Sequence, residues 1–261
     1  MSESKHMDSS IPDDIALKLV SSLQVWDVCS LGSCSRFWQE LCGLDCVWSS
    51  LYRDRWPQLL LDNNQDSSVL DVDHNHQPHH SKTTSKGWRG LYISKHSEMA
   101  GKAAMVVKFL ENCLNSESIE VGQYLKAIKD LYTMQFGFKD VQMFFLKAET
   151  NVLLNLVGLH YCISWLRLPP EHIMEALESC KILERKVCVQ WWTLGRWFYG
   201  FRMRDESHSR EVSLGDVARA KEEEVLAVLY RGAIYEVFRV RISFAKPSNA
   251  HWTSQNLNTC R

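Results

Sequence analysis

Apolar residues recur at every fourth position in Ile15, Leu19 and Leu23, with Val20 beside them, directly behind a polar opening, MSESKHMDSS. That spacing places the three on one face of a helix. Pro12 suits the first turn, because its φ is fixed and it has no N–H to leave unpaired. Asp13 and Asp14 put negative charge where the helix dipole favours it. A stripe this short cannot bury itself, so the segment must pack against further helices or a partner.

From Gly87 onward the same periodicity predicts about five more helices. Met99, Ala103, Val106, Leu110 and Leu114 mark the first; Val121, Leu125, Ile128 and Leu131 mark the second, with Ser118 as its N-cap. A third runs from about Asp140 through Val141, Phe145, Ala148, Val152, Leu156, Leu159 and Ile163 until Leu168-Pro169-Pro170 stops it. Pro170 and Glu171 open a fourth, with Ile173, Leu177, Cys180, Val187, Trp191, Leu194, Phe198 and Phe201 as its stripe. The fifth begins at Ser213 and Asp216, which resemble a capping box, and continues through Val217, Val225, Leu229, Tyr235, Phe238 and Ile242, although strand propensity rises over residues 238–244.

The expected fold is therefore all-α: a small helical N-terminal module and a C-terminal helical bundle. Residues 1–10 read as a disordered N-terminus, 11–56 as the module, 57–86 as a polar His-rich linker, 87–245 as the bundle and 246–261 as a flexible tail. The longest apolar run, VLLNLVGLHYCISWL from Val152, is broken by Asn155, His160 and Ser164 and is short of a membrane span. It reads as a buried helix. No repeat period is visible.

The N-terminal module carries a more specific pattern. Ile11-Pro12 opens it, Asp27 and Val28 start a second helix, Ser35, Arg36 and Trp38 follow, then Leu41, and Val47-Trp48-Ser49-Ser50-Leu51 closes it. This arrangement resembles the F-box family, without insertion, which implies that the module is a three-helix one. Departures are mild: Ile11 replaces the usual Leu, Trp26 takes a position often polar or Pro, and Cys34 one usually Val. The resemblance implies that Pro12, Ile15, Leu19, Leu23, Trp48 and Leu51 contact a Skp-type adaptor, while Trp38 and Leu41 pack the helices together. It further implies a link through that adaptor to cullin and RING subunits. Such a chain is a non-catalytic substrate-recognition subunit that presents a target for ubiquitination. The opposing reading is a helical nucleic-acid-binding or scaffolding protein whose F-box-like segment is only core. Solvent exposure of Ile15, Leu19 and Leu23 separates the two.

Composition changes this picture little. Apolar content of 45 % is ample for a core, and a net charge of -1 with pI near 6.8 gives no global reason to expect nucleic acid or an anionic membrane. Nine cysteines, an odd number, and an N-terminus without basic and apolar regions of a signal peptide point to a reducing compartment, cytosol or nucleus.

The chemical constellations are weak ones. His74, His76, His79 and His80 could close on a divalent ion, but no fixed geometry completes a site, so no metal is expected. Cys29, Cys34, Cys42 and Cys46 lack the two-residue knuckle of zinc sites and read as small core residues. His160 and Cys162 do not face each other at helical spacing. No nucleophile signature, phosphate-cradling glycine loop or dinucleotide fingerprint is present, so neither catalysis nor a cofactor is expected.

One further segment stands out. From Lys181 to Arg204, six basic residues accompany one acid, Glu184, and a dense aromatic set. In helical phase Trp192, Trp197 and Tyr199 fall off the buried stripe, with Arg196 and Arg202 near the last two. They are either packed between helices or a partner surface, since arginine interleaved with aromatics is the composition of binding hot spots.

Overall fold

A computed structural model describes residues 11–57, 87–114 and 117–245. The expected N-terminal disorder, the His-rich linker beyond Pro57 with its four histidines, and the tail lie outside the described residues. The chain forms two compact units, 1–102 and 103–261. Their boundary falls inside a helix, whereas composition alone changes at Gly87.

The first unit holds α1 (Asp13–Ser22), α2 (Val25–Leu31), α3 (Arg36–Cys42), α4 (Asp45–Arg55) and the start of the 27-residue α5 (Gly87–Cys113). Pro12 opens α1, and its carbonyl accepts the Ile15 and Ala16 N–H groups. Ser35 caps α3 by accepting the Trp38 N–H at 3.4 Å. The core gathers Ala16, Val20, Val28, Cys42, Val47, Trp48, Trp56 and Tyr92. Buried Arg55 sits among these rings: it donates to the Tyr92 hydroxyl at 2.8 Å, and its guanidinium lies 4.6 Å from the Trp56 ring centre.

The second unit contains the rest of α5, then β1 (Ser118–Glu120), α6 (Val121–Thr133), α7 (Phe138–Phe144), α8 (Val152–Ser164) and α9 (Pro170–Ser179). It continues with β2 (Lys186–Thr193), β3 (Trp197–Phe198), β4 (Phe201–Arg202), β5 (Glu206–Ser213), α10 (Leu214–Ala218), α11 (Glu223–Arg231) and β6 (Val237–Phe244). α8 is buried at every position from Val152 to Cys162, as expected of a core helix, and α6, α7, α9, α10 and the sheet pack around it. No helix among the described residues is long and apolar enough to cross a membrane.

The all-α expectation is wrong for this unit. β1, β6, β2 and β5 form, in that order, an antiparallel four-stranded sheet, and β3 pairs with β4 in a second, two-stranded one. The predicted fourth helix ends at Ser179. Lys181 turns with φ of 56°, the Ile182 N–H returns to the Leu177 carbonyl, and the chain then extends. Along β2, Val187, Val189 and Trp191 are buried and alternate with more exposed neighbours. The helical stripe expected through Val187 and Trp191 is misleading because a spacing of four fits one helical turn and also two strand repeats.

Three other boundaries move. The predicted third helix is two, α7 and α8, separated by a loop in which Ala148 is exposed and Asn151 caps α8 by accepting the Leu153 N–H. Ser118 begins β1, and α6 is capped instead by a box formed by Glu120 and Gln123. The fifth helix starts as expected, with Ser213 Oγ accepting the Asp216 N–H at 3.0 Å, but breaks into α10 and α11 and gives way to β6.

Candidate functional site

α1 is apolar on two faces. Ala16 and Val20 are fully buried, while Ile11, Ile15 and Leu19, four residues apart, remain 43 %, 52 % and 48 % exposed. Helical geometry explains the split: residues at i and i+4 stack on one face, and those one position later turn about 100° away. Pro12 is exposed at the head of this outer face, and Leu23 is half-buried at its end. The inner face holds the helix in place, and the outer one presents its apolar side chains at the surface.

The remaining residues of the family pattern divide. Leu51, Trp38 and Leu41 are half-buried. Trp48, expected at the adaptor contact, is only 3 % exposed: its Nε1 donates to the Cys42 carbonyl at 2.8 Å, and its ring meets Tyr92 edge-on at 5.4 Å. The ring is therefore part of the core of the unit and not of its surface. Sequence reasoning passed over three exposed apolar side chains, Trp26, Phe37 and Leu44. Trp26 carried a signal, since it occupies a position often polar. Of the four module cysteines only Cys42 is a core residue, its thiol pushed up by burial and then by Cys29 and Cys34; Cys29, Cys34 and Cys46 are exposed.

The aromatic and basic segment becomes a hairpin. β2 and β5 pair from Lys186↔Ser213 to Thr193↔Glu206, and their connection carries the second hairpin, β3–β4. Tyr199 (φ 47°) and Gly200 (φ 81°) form its two-residue turn, the type I′ geometry that needs positive φ at both positions. Gly195 lies so close to the Met203 backbone that a Cβ there would sit 1.9 Å from its carbonyl oxygen. These two glycines make the hairpin possible.

The hairpin is tied at its base. Asp205 accepts from the Gly195 N–H and from Arg202, each at 2.9 Å; Arg196 pairs with Glu236 at 2.8 Å. The Gly195 N–H first, then Arg202, hold the Asp205 carboxyl below its ordinary range, and Arg196 does the same for Glu236. Thus Arg196, Trp197, Tyr199 and Arg202 come together. Trp192 does not join them: it lies on the outward sheet face, with Arg239 and Arg241 over its ring at 5.2 and 5.7 Å. Among the described residues, no group of three or more His, Cys, Asp or Glu is placed to hold a metal.

A small helical unit with a buried aromatic core and a second apolar face turned outward is a protein-docking module. The family model of the F-box domain matches residues 9–50, so the chain carries an F-box domain at its N-terminal end. Comparison with the curated proteins and with the solved structures gave no match, and the second unit matches no family. F-box domains typically bind Skp-type adaptors and are generally non-catalytic, so the domain supports an adaptor role in Skp-cullin-F-box ubiquitin ligases.

Proposed function

We propose that this chain is the substrate-recognition subunit of a Skp-cullin-F-box ubiquitin ligase, working in the cytosol or nucleus. The outer face of α1, with Pro12, Ile15, Leu19 and Leu23, docks on the Skp-type adaptor, and Leu51 adds to it. Through the adaptor the chain joins cullin and RING subunits, and the second unit holds a protein target. Its contribution is proximity, which raises the effective concentration of target lysines near the conjugating enzyme without chemistry of its own.

The observation that carries this reading is the exposure of Ile15 and Leu19 above a fully buried Ala16 and Val20. A segment serving only as core would bury both faces. The test is a titration of the full chain against a purified Skp-type adaptor, beside an Ile15→Asp, Leu19→Asp variant checked by circular dichroism. Nanomolar affinity that falls by about 100-fold or more in the folded variant is expected. No binding by the folded wild type would overturn the reading.

A further inference from the structure

We propose that the β3–β4 hairpin is the target-docking surface, and that it takes an acidic protein segment built around an apolar anchor. This rests on the reading of the second unit as the target-holding part.

Exposure is the first observation. Trp197, Phe198, Tyr199, Phe201 and Met203 are 72 %, 64 %, 89 %, 78 % and 58 % exposed. Five large apolar side chains within seven residues are far from the scattered single hydrophobics that protein surfaces ordinarily carry. The two-residue turn, the Met203 N–H to Arg196 carbonyl bond and the Gly195 N–H to Asp205 bond hold them in one geometry, which lowers the ordering cost of binding.

Composition is the second. Residues 194–204, LGRWFYGFRMR, consist of aromatics, Met, Arg, Leu and Gly, and contain none of the Lys, Glu, Asp, Ser and Ala that protein interfaces avoid.

Charge selects the occupant. The segment holds Arg196, Arg202 and Arg204 and no carboxylate, in a chain whose net charge is -1. Arg204 is exposed and makes no ion pair among the described residues. Arg196 and Arg202 pair only at the surface, where ion pairs are weak and exchangeable for a partner's carboxylates. The guanidinium forks therefore ask for carboxylates placed around an apolar anchor. Asp205, Glu206 and Glu236 at the base disfavour a continuous polyanion such as nucleic acid.

The experiment uses the full chain bound to its Skp-type adaptor and immobilised through that adaptor, panned against a random peptide display library. Enriched peptides should carry Asp or Glu flanking an aromatic or aliphatic residue. As synthetic fluorescent peptides they should bind at least about tenfold more weakly to Trp197→Ala and to Tyr199→Ser, whose side chain is almost wholly in solvent. Replacing the peptide's acids by Lys should abolish binding, and Arg204→Glu should restore part of it. Enrichment without acids, binding indifferent to both hairpin variants, preference for a single-stranded RNA probe, or hairpin-dependent self-association would each overturn the inference. Adaptor binding is read in every sample. If it persists while acidic peptides fail to enrich, the hairpin inference falls and the adaptor reading stands. If it fails, the chain is immobilised by a terminal tag and the hairpin is judged on the same peptides.

Discussion

Ile15 and Val20 stand on different faces of α1, the first 52 % exposed and the second fully buried. Substitution by Asp should therefore have opposite consequences at the two faces. Leu19→Asp, which lies with Ile15, should leave the urea midpoint within experimental scatter and remove adaptor binding. Val20→Asp places an unpaired charge in the core, and should cost on the order of 3 kcal/mol of stability. Urea unfolding of both variants, read beside adaptor titration, checks the pair. Equal destabilisation by the two would mean that the outer face is not free.

Trp48 should behave as a packing residue although it belongs to the family pattern. Trp48→Ala removes a buried ring and should lower stability by about 3–5 kcal/mol. Trp48→Phe keeps an aromatic against Tyr92 but leaves the Cys42 carbonyl without its 2.8 Å donor, a loss of about 1–3 kcal/mol. Thermal unfolding followed by near-ultraviolet circular dichroism measures both. A Trp48→Ala chain of unchanged stability and weakened adaptor binding would put the ring at the contact instead.

The first helix was legible because its signals are local and agree: Pro12 and the Asp pair begin it, and the apolar positions keep one period; the expected three-helix module nevertheless has four helices, α1 to α4. The second unit was less so. Spacings of four, such as Val187 to Trp191, suit a helix and a strand alike, and only the intervening Val189 reveals the period of two. The loop between α7 and α8 was hidden for a different reason: Phe145 and Val152 remain buried on either side of the break, so the apolar pattern runs through it unbroken. At the hairpin, Trp197, Tyr199, Arg196 and Arg202 were found by composition. Their arrangement depends on Gly195 and Gly200, whose message was masked by a helical stripe drawn through Phe198 and Phe201.

Asn155 and Arg185 lock that loop onto α8. Asn155 Nδ2 donates to the Phe145 and Lys147 carbonyls at 2.6 and 3.0 Å and to Thr150 Oγ1 at 2.7 Å; Arg185 donates to Asn155 Oδ1 and, at 2.6 Å, to the Thr150 carbonyl. Asn155→Leu fits the apolar helix but strands these groups, and should cost roughly 2–3 kcal/mol. Because Arg185 shares the network, Arg185→Ala made in the Asn155→Leu background should cost less than in the wild type, with a coupling of roughly 1 kcal/mol. Denaturant unfolding of the two single variants and the double variant measures it. Simple additivity would show that the two side chains act separately.

His160 gives the second unit a pH dependence whose sign is fixed by burial. It lies inside α8, its Nδ1 2.7 Å from the Tyr124 hydroxyl and its ring edge-on to Tyr230 at 4.3 Å. Desolvation lowers its pKa from 6.5 to about 4, and burial raises that of Tyr124, so the phenol keeps its proton and donates it to a neutral imidazole. The unfolded chain takes up a proton below pH 6.5, and the folded chain only near pH 4. Stability is thus fully present above pH 6.5, falls as the pH drops through that window, and levels off below it. The lowered pKa corresponds to a loss of about 3 kcal/mol across the window. Urea midpoints between pH 4 and 7 should follow this course in the wild type and flatten in His160→Gln, which carries no titrating ring. An unchanged slope in that variant would assign the acid sensitivity to other groups.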